Sequence, residues 1–151
     1  MNISPLEISA SGMRAQRLRM ELIANNLANV ETTSAGTEIE RAEDGEEFVR
    51  HIPYRRKVAL FRPGLPGREP GFGVSVPAVV EDTTDFRLEL NPGHPHAIQK
   101  PGPEKGYVRY PNVNPIIEMV DMISASRAYE ANVTAVDTLK SMGQANLRIL
   151  A

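Results

Sequence analysis

The chain has 151 residues, of which 41% are apolar and only 5% aromatic, with no Trp. This length corresponds to one domain, and the shortage of aromatic side chains predicts a modest core. The net charge of −2 argues against a general nucleic-acid-binding protein, and the absence of cysteine excludes disulfides and thiolate metal sites. No stretch approaches the roughly 18 consecutive apolar residues of a membrane-spanning helix.

The first predicted element is a helix over residues 1 to about 30. Ser4 before Pro5, with Glu7 three residues after the serine, has the pattern of an N-cap and a capping box. Apolar residues then recur every seven positions, and a neighbouring stripe widens this face beyond a strict coiled-coil seam. The residues expected to pack on other helices are Met13, Met20, Ile23 and Leu27.

The middle of the chain, residues 33–112, predicts a small, loop-rich β module. Ten of the twelve prolines and nine of the eleven glycines lie in this part of the chain, which excludes long helices. Acidic residues are concentrated between Glu38 and Glu47, which predicts a solvated, mobile loop whose role the sequence leaves open. Four strand-like runs follow it, at 54–61, 74–80, 86–90 and 107–110.

A second long helix is predicted over residues 113–151, beginning near Asn114, an N-cap directly before Pro115. Polar residues interrupt its apolar seam. Asn132 either fixes the register of packing at a cost in stability or is merely half exposed, and both interpretations stay open. The expected packing residues of this helix are Met119, Ile123, Tyr129, Asn132, Val133, Val136 and Leu139.

These elements predict an α+β fold. Neither terminal helix has an obvious partner in the middle region, so we expect the helices of 1–32 and 113–151 to pack on each other. The expected arrangement is an antiparallel, coiled-coil-like pair with the β module of 33–112 between its two helices. Because the apolar faces are wider than one partner would cover, other subunits are expected to bury the remainder.

Candidate chemistry is sparse. His94 and His96 flank a proline and suggest a metal site, but further ligands at useful spacing are missing, and a plain structural turn is the alternative. Arg55, Arg56 and Lys57 form a basic cluster that predicts either a solvated strand edge or a surface for an acidic partner. No phosphate-loop, dinucleotide or nucleophile–base motif occurs, so we expect no enzyme, no cofactor and no metal.

Both ends of the chain resemble a known family. The segment SGMRAQRLRMELIANNLANVETT is similar to the signature of bacterial flagellar rod and hook proteins, and its centre is Asn25, Asn26, Leu27, Ala28 and Asn29. The segments YRRKVALF, NPGHPHA and GYVRYPNVNPIIEMVDMISASRAYEANV resemble the proximal-rod members of that family in matching order. We expect the three asparagines to cap and position the end of the first helix.

The resemblance implies a structural subunit of the proximal rod of the flagellar basal body. Such a subunit would assemble with itself and with other rod proteins, through its terminal helices, into a helical tube that transmits motor torque and encloses the export channel. Another rod or hook subunit is the alternative. The implied partners are other proximal-rod subunits of the FlgB and FlgF types, a FliE-type adaptor, and the MS-ring protein FliF as a further candidate.

The resemblance also implies a location in the periplasmic part of the basal body, reached through the flagellar type III export apparatus. The N-terminus lacks the basic start and continuous apolar segment of a cleavable signal peptide, which agrees with export by that route. No direct insertion into a membrane is expected.

Overall fold

The computed structural model describes residues 5–41, 47–64 and 72–150. Two long helices flank three pairs of short strands, which confirms the predicted α+β class. In chain order the elements are α1 (Pro5–Ala28), β1 (Gly36–Arg41), β2 (Glu47–Ile52), β3 (Lys57–Pro63), β4 (Val74–Glu81), β5 (Arg87–Leu90), β6 (Tyr107–Tyr110) and α2 (Pro115–Leu150). Strands β1 and β2, β3 and β4, and β5 and β6 form the three pairs. Within the described residues, neither helix is long and apolar enough to cross a membrane.

The ends of the helices follow from local chemistry. Helix α2 begins at Pro115, and the Asn114 side-chain oxygen accepts a hydrogen bond from the Ile116 N–H at 3.0 Å, which confirms the predicted N-cap. At the end of α1, the Asn29 side-chain amide donates to the Asn25 carbonyl at 2.9 Å, and the same carbonyl also accepts the Asn29 backbone N–H at 3.2 Å. Ser4, the predicted N-cap of α1, lies outside the described residues.

The chain forms two compact units, and each one draws on several segments of the sequence. The first unit comprises residues 1–24, 58–80 and 119–151. Here α1 and α2 run antiparallel, because Arg19 pairs with Asp121 at 2.8 Å while Gly12, earlier in α1, faces Asn132, later in α2. Small side chains at this packing, Ala15 and Ala125, are 4% and 0% exposed.

The first unit also ties a strand to a helix. The backbone N–H of Val74 in β4 donates to the Ser11 hydroxyl of α1 at 3.0 Å, and Ser11 is buried. The expectation that the middle of the chain offers the helices no partner is therefore wrong. The contact is a polar one between distant residues, which hydrophobic periodicity does not detect.

The second unit comprises residues 25–57 and 81–118, with its core at Val108, Val113 and Tyr54. Strands β5 and β6 pair antiparallel, with Arg87 opposite Tyr110 and Leu90 opposite Tyr107. The predicted strands at 86–90 and 107–110 are confirmed almost to the residue.

Strands β1 and β2 correct the prediction of a mobile acidic loop. They form an antiparallel hairpin in which Gly36 lies opposite Ile52 and Arg41 opposite Glu47. Two ion pairs between the strands, Glu40 with Arg50 and Glu47 with Arg41, compensate the acidic charges that suggested disorder. Residues 42–46 of the predicted loop lie outside the described part of the chain.

Candidate functional site

Asn26 lies near the end of α1 and has a side chain that is 1% exposed. Its amide nitrogen donates to the Lys57 carbonyl at 3.0 Å and to Glu118 Oε2 at 3.1 Å. Its side-chain oxygen accepts from the Tyr54 hydroxyl and from the Lys57 N–H, both at 2.9 Å. These four bonds use the full donor and acceptor capacity of the amide, and Lys57 permits only this orientation. Asn26 therefore joins the end of α1 to the start of β3.

Glu118, in the first turn of α2, is the second buried polar group, with a side chain that is 0% exposed. Its Oε1 accepts a hydrogen bond from Arg56 Nε at 2.7 Å, and Arg56 Nη1 lies 3.6 Å from Asp82 Oδ2. A buried carboxylate is tolerated because it is paired and hydrogen-bonded, and its place at a helix N-terminus adds a favourable interaction with the helix dipole. We call Asn26, Tyr54, Arg56, Lys57 and Glu118 the helix-end junction.

The pKa values of Tyr54, within this junction, and of Asp82, beside it, are shifted. Burial, then the nearby charges of Glu118 and Glu81, raise the pKa of the Tyr54 hydroxyl, so Tyr54 stays a neutral hydrogen-bond donor. The backbone N–H and hydroxyl of Thr84, followed by Arg56, lower the pKa of the Asp82 carboxyl. Tyr54 is thus a neutral donor within the junction, and the lowered pKa of Asp82 favours the carboxylate form that pairs with Arg56.

The basic cluster at 55–57 is part of this structure, and the interpretation as a solvated strand edge is wrong for its two arginines. Arg56 pairs with Glu118 and Asp82. The Arg55 guanidinium lies 4.3 Å from the centre of the Phe86 ring and donates to the Asp82 carbonyl at 3.0 Å. The strand predicted from residue 54 begins only at Lys57, as β3.

The structure separates the asparagines of the family signature. Asn26 is buried in the junction, whereas Asn25 is exposed and pairs through its side-chain oxygen with the Asn29 amide at 2.7 Å. Leu27 is half-buried and Ala28 exposed. Sequence reasoning missed Glu118 as a partner of Asn26. The available signal was a carboxylate, Glu118, among the apolar residues of the first turn of the second helix.

The expected packing residues have very different exposures. Ile23 is buried at 5% exposure, and Met119 and Ile123 are exposed at 49% and 55%. The others are half-buried: Met13, Met20, Leu27, Tyr129, Asn132, Val133, Val136 and Leu139. Asn132 is half-buried against α1, since its Oδ1 lies 2.8 Å from the point where a Cβ on Gly12 would be.

The first turns of α2 carry exposed apolar side chains at positions i, i+3, i+4 and i+7, which share one helix face. We call this set the α2 apolar face: Ile116, Met119, Val120 and Ile123, with exposures of 70%, 49%, 63% and 55%. Single exposed apolar residues are ordinary on a protein surface, but a continuous face marks a site of protein association.

The histidines form a structural turn and a ring contact. The backbone N–H of His96 donates to His94 Nδ1 at 3.1 Å. His51, which seemed unconnected in sequence, lies with its ring centre 4.2 Å from that of His96. The described residues include no group of three or more His, Cys, Asp or Glu side chains able to hold a metal ion.

Comparisons with known proteins gave matches to family models at both ends of the chain and to relatives along nearly its whole length. A family model described as flagella basal body rod protein matches residues 6–35, and one described as flagellar basal body rod FlgEFG protein C-terminal matches residues 104–149. Three relatives all carry the name flagellar basal-body rod protein FlgC. The protein of Borreliella burgdorferi is 41% identical, with 97% of this chain and 96% of that protein covered.

The second relative, from Bacillus subtilis, is 39% identical, with 91% of this chain and 90% of that protein covered. The third, from Salmonella typhimurium, is 36% identical, with 90% and 88% covered. Because identity at this level extends over nearly the whole of each protein, the chain belongs to the FlgC family of flagellar basal-body rod proteins.

Proposed function

We propose that the chain is a structural subunit of the proximal rod of the flagellar basal body and that it assembles with neighbouring subunits through its two long helices. The observation that carries this proposal is the α2 apolar face, which stays exposed in the folded chain. Full burial of a large apolar side chain contributes about 1.5–3 kcal/mol, so covering these four partly exposed residues would stabilise an assembly by roughly 4–7 kcal/mol.

The helix-end junction supports this assembly role because it restricts motion at the end of α1 and at the start of α2. Its hydrogen bonds hold the last turns of α1 and the first turn of α2 to the start of β3. A subunit that carries torque needs helices whose ends do not swing, and a saturated buried network restricts such motion. Packed helices along the rod, in a helical tube around the export channel, would then deform little under load.

The proposed neighbours are other rod subunits, namely further copies of this chain and proteins of the FlgB and FlgF types. A FliE-type adaptor and the MS-ring protein FliF are the proposed contacts at the base of the rod. The proposed location is the periplasmic part of the basal body, reached by type III export without cleavage of a signal peptide. The proposed role is structural, without catalysis, and in the junction Arg56 and Glu118 are engaged with each other in an ion pair.

The test replaces part of the α2 apolar face by serine, in the triple variant Ile116→Ser, Val120→Ser and Ile123→Ser. The matched control is Ile39→Ser with Val49→Ser, because these hairpin residues are similarly exposed at 69% and 58%. We expect the triple variant to be absent from isolated basal bodies and its cells to be non-motile, while the control assembles. Normal incorporation of a folded triple variant would contradict the proposal.

A further inference from the structure

The three histidines of the chain lie together in the second unit. His51 belongs to β2, and His94 and His96 belong to the turn that follows β5. The ring centres of His51 and His96 are 4.2 Å apart, and those of His94 and His96 are 5.1 Å apart. The cluster therefore joins the β1–β2 hairpin to the 91–98 turn.

The Nδ1 atom of each of the three histidine rings takes part in a hydrogen bond. His94 Nδ1 accepts the backbone N–H of His96, a bond that an imidazolium could not accept because both of its nitrogens carry protons. His96 Nδ1 pairs with the Thr33 hydroxyl at 2.7 Å, and His51 Nδ1 pairs with the Ser34 hydroxyl at 3.0 Å. Both hydroxyls can serve neutral rings, whichever tautomer is present.

Within the described residues, most of the charged groups around the rings are basic. The charged groups that line the small cavity beside His51 and His96 are Glu40 of β1, Arg50 of β2, Lys100 after the turn and Arg109 of β6. Glu40 is already paired with Arg50 and Lys100, and the hydrogen bond from Arg50 is the main cause that lowers its pKa. Arg109 is paired with Glu104 at 2.6 Å. In the described part of the chain, no carboxylate forms an ion pair with any of the three imidazoles.

The cavity beside the rings leaves little room for water between them. Its volume is about 30 Å³, which is room for only a water or two. Two imidazolium rings in contact would repel each other without solvent between them, next to an excess of basic side chains.

We propose that the three histidines form an acid-sensitive latch, which holds the β1–β2 hairpin against the 91–98 turn while the rings are neutral and releases it when more than one ring is protonated. The latch is independent of the proposed assembly role. Its effect is to make the packing of the second unit depend on pH near the ordinary range of histidine.

The direction of the pH effect follows from proton binding. Burial, and then the proximity of His51 and His94, lower the pKa of His96 below its usual 6.5. Between that lowered value and 6.5 the unfolded chain binds more protons than the folded one, so folding releases them. The stabilisation is complete above the ordinary histidine pKa and is lost as pH falls below it.

The chain has no cysteine, so a pair of nitroxide labels can be introduced cleanly at Thr37→Cys and Gln99→Cys. Both positions are exposed, and Thr37 lies opposite His51 in the hairpin while Gln99 follows the turn. We expect the dipolar broadening between the labels to be constant at neutral pH and to weaken reversibly toward about pH 5, with a midpoint below that of free histidine. The Glu40 and Asp82 carboxyls, whose pKa values lie below 4.5 and 3.8, remain ionised throughout this range.

The matched control adds His51→Asn and His96→Asn, because asparagine can bond to the same hydroxyls without titrating. We expect its label spectrum to stay unchanged down to about pH 5. Constant broadening in the native-histidine protein, or equal loss in the asparagine variant, would overturn the latch.

A second measurement does not depend on the folding of that variant. Proton NMR of the imidazole Cε1–H groups in the unlabelled protein follows each histidine directly. At least one resonance is expected to titrate below 6.5, together with amide shifts in β2 and in the 91–98 turn. Three independent titrations at the ordinary value, without those amide shifts, would refute the proposal.

Discussion

Replacing Asn26 by alanine is expected to destabilise the second unit more than any other single change in the family signature. The substitution removes three hydrogen bonds to neutral groups, each with a net value of about 0.5–1.5 kcal/mol, and one to a carboxylate, with a net value of about 1.5–3 kcal/mol. The sum is about 3–7.5 kcal/mol. Because water can enter the space left by the amide, we expect the lower part of that range, about 3–5 kcal/mol.

The assay is urea unfolding of the purified chain at neutral pH, followed by far-ultraviolet circular dichroism. The matched control is Asn29→Ala, since Asn29 is less buried and bonds only to local groups that water can replace. Its expected cost in the free energy of unfolding is below about 1 kcal/mol. Tyr54→Phe gives an intermediate point, because it removes one hydrogen bond and should cost about 1 kcal/mol.

A loss of 3–5 kcal/mol is a large part of the roughly 5–15 kcal/mol that stabilises a typical domain. If Asn26→Ala does not fold, the Tyr54→Phe value still measures the network. The reasoning would be refuted if Asn26→Ala were no more harmful than Asn29→Ala, because the four bonds would then contribute nothing beyond what water supplies.

Three further predictions use the same unfolding assay. Gly143→Ala places its new Cβ in open space and should raise the free energy of unfolding by about 0.5–1 kcal/mol. Gly12→Ala should give no such gain, because its Cβ would lie 2.8 Å from Asn132 Oδ1. A gain at both glycines would show that the Asn132 side chain moves away from Gly12 at little cost, and would contradict a packing that requires glycine there. Arg56→Gln should cost about 3 kcal/mol because it leaves a buried carboxylate unpaired, while Arg50→Gln, at a more exposed pair, should cost less than about 1 kcal/mol. Equal costs would contradict the role of burial. Since the pKa of Tyr54 is raised above 10.0, the free energy of unfolding should fall as pH rises past that value, and Tyr54→Phe should remove this part of the pH dependence. If the free energy of unfolding depends on alkaline pH equally in both proteins, Tyr54 is not the group responsible.

Local signals in the sequence were sufficient for much of the fold. Asn114 before Pro115 located the start of α2, because an N-cap and a first-turn proline act within one helical turn. The strands at 86–90 and 107–110 were equally evident, since turn residues bound them and β-forming residues fill them. The family signature at 25–29 was recognisable for the same reason, as a short continuous motif.

Only the tertiary structure decided which of these residues matter, because the decisive contacts join residues far apart in the chain. Composition alone made residues 38–47 look disordered, and the cross-strand register then supplied Arg50 and Arg41 as ion-pair partners for Glu40 and Glu47. The three signature asparagines are chemically identical, yet only Asn26 is buried, where Tyr54 and Glu118 complete its hydrogen bonds. The sequence by itself therefore determined the two helices, the later strands and the family. Burial and long-range pairing determined the β1–β2 hairpin and the junction, since neither is a property of any local segment.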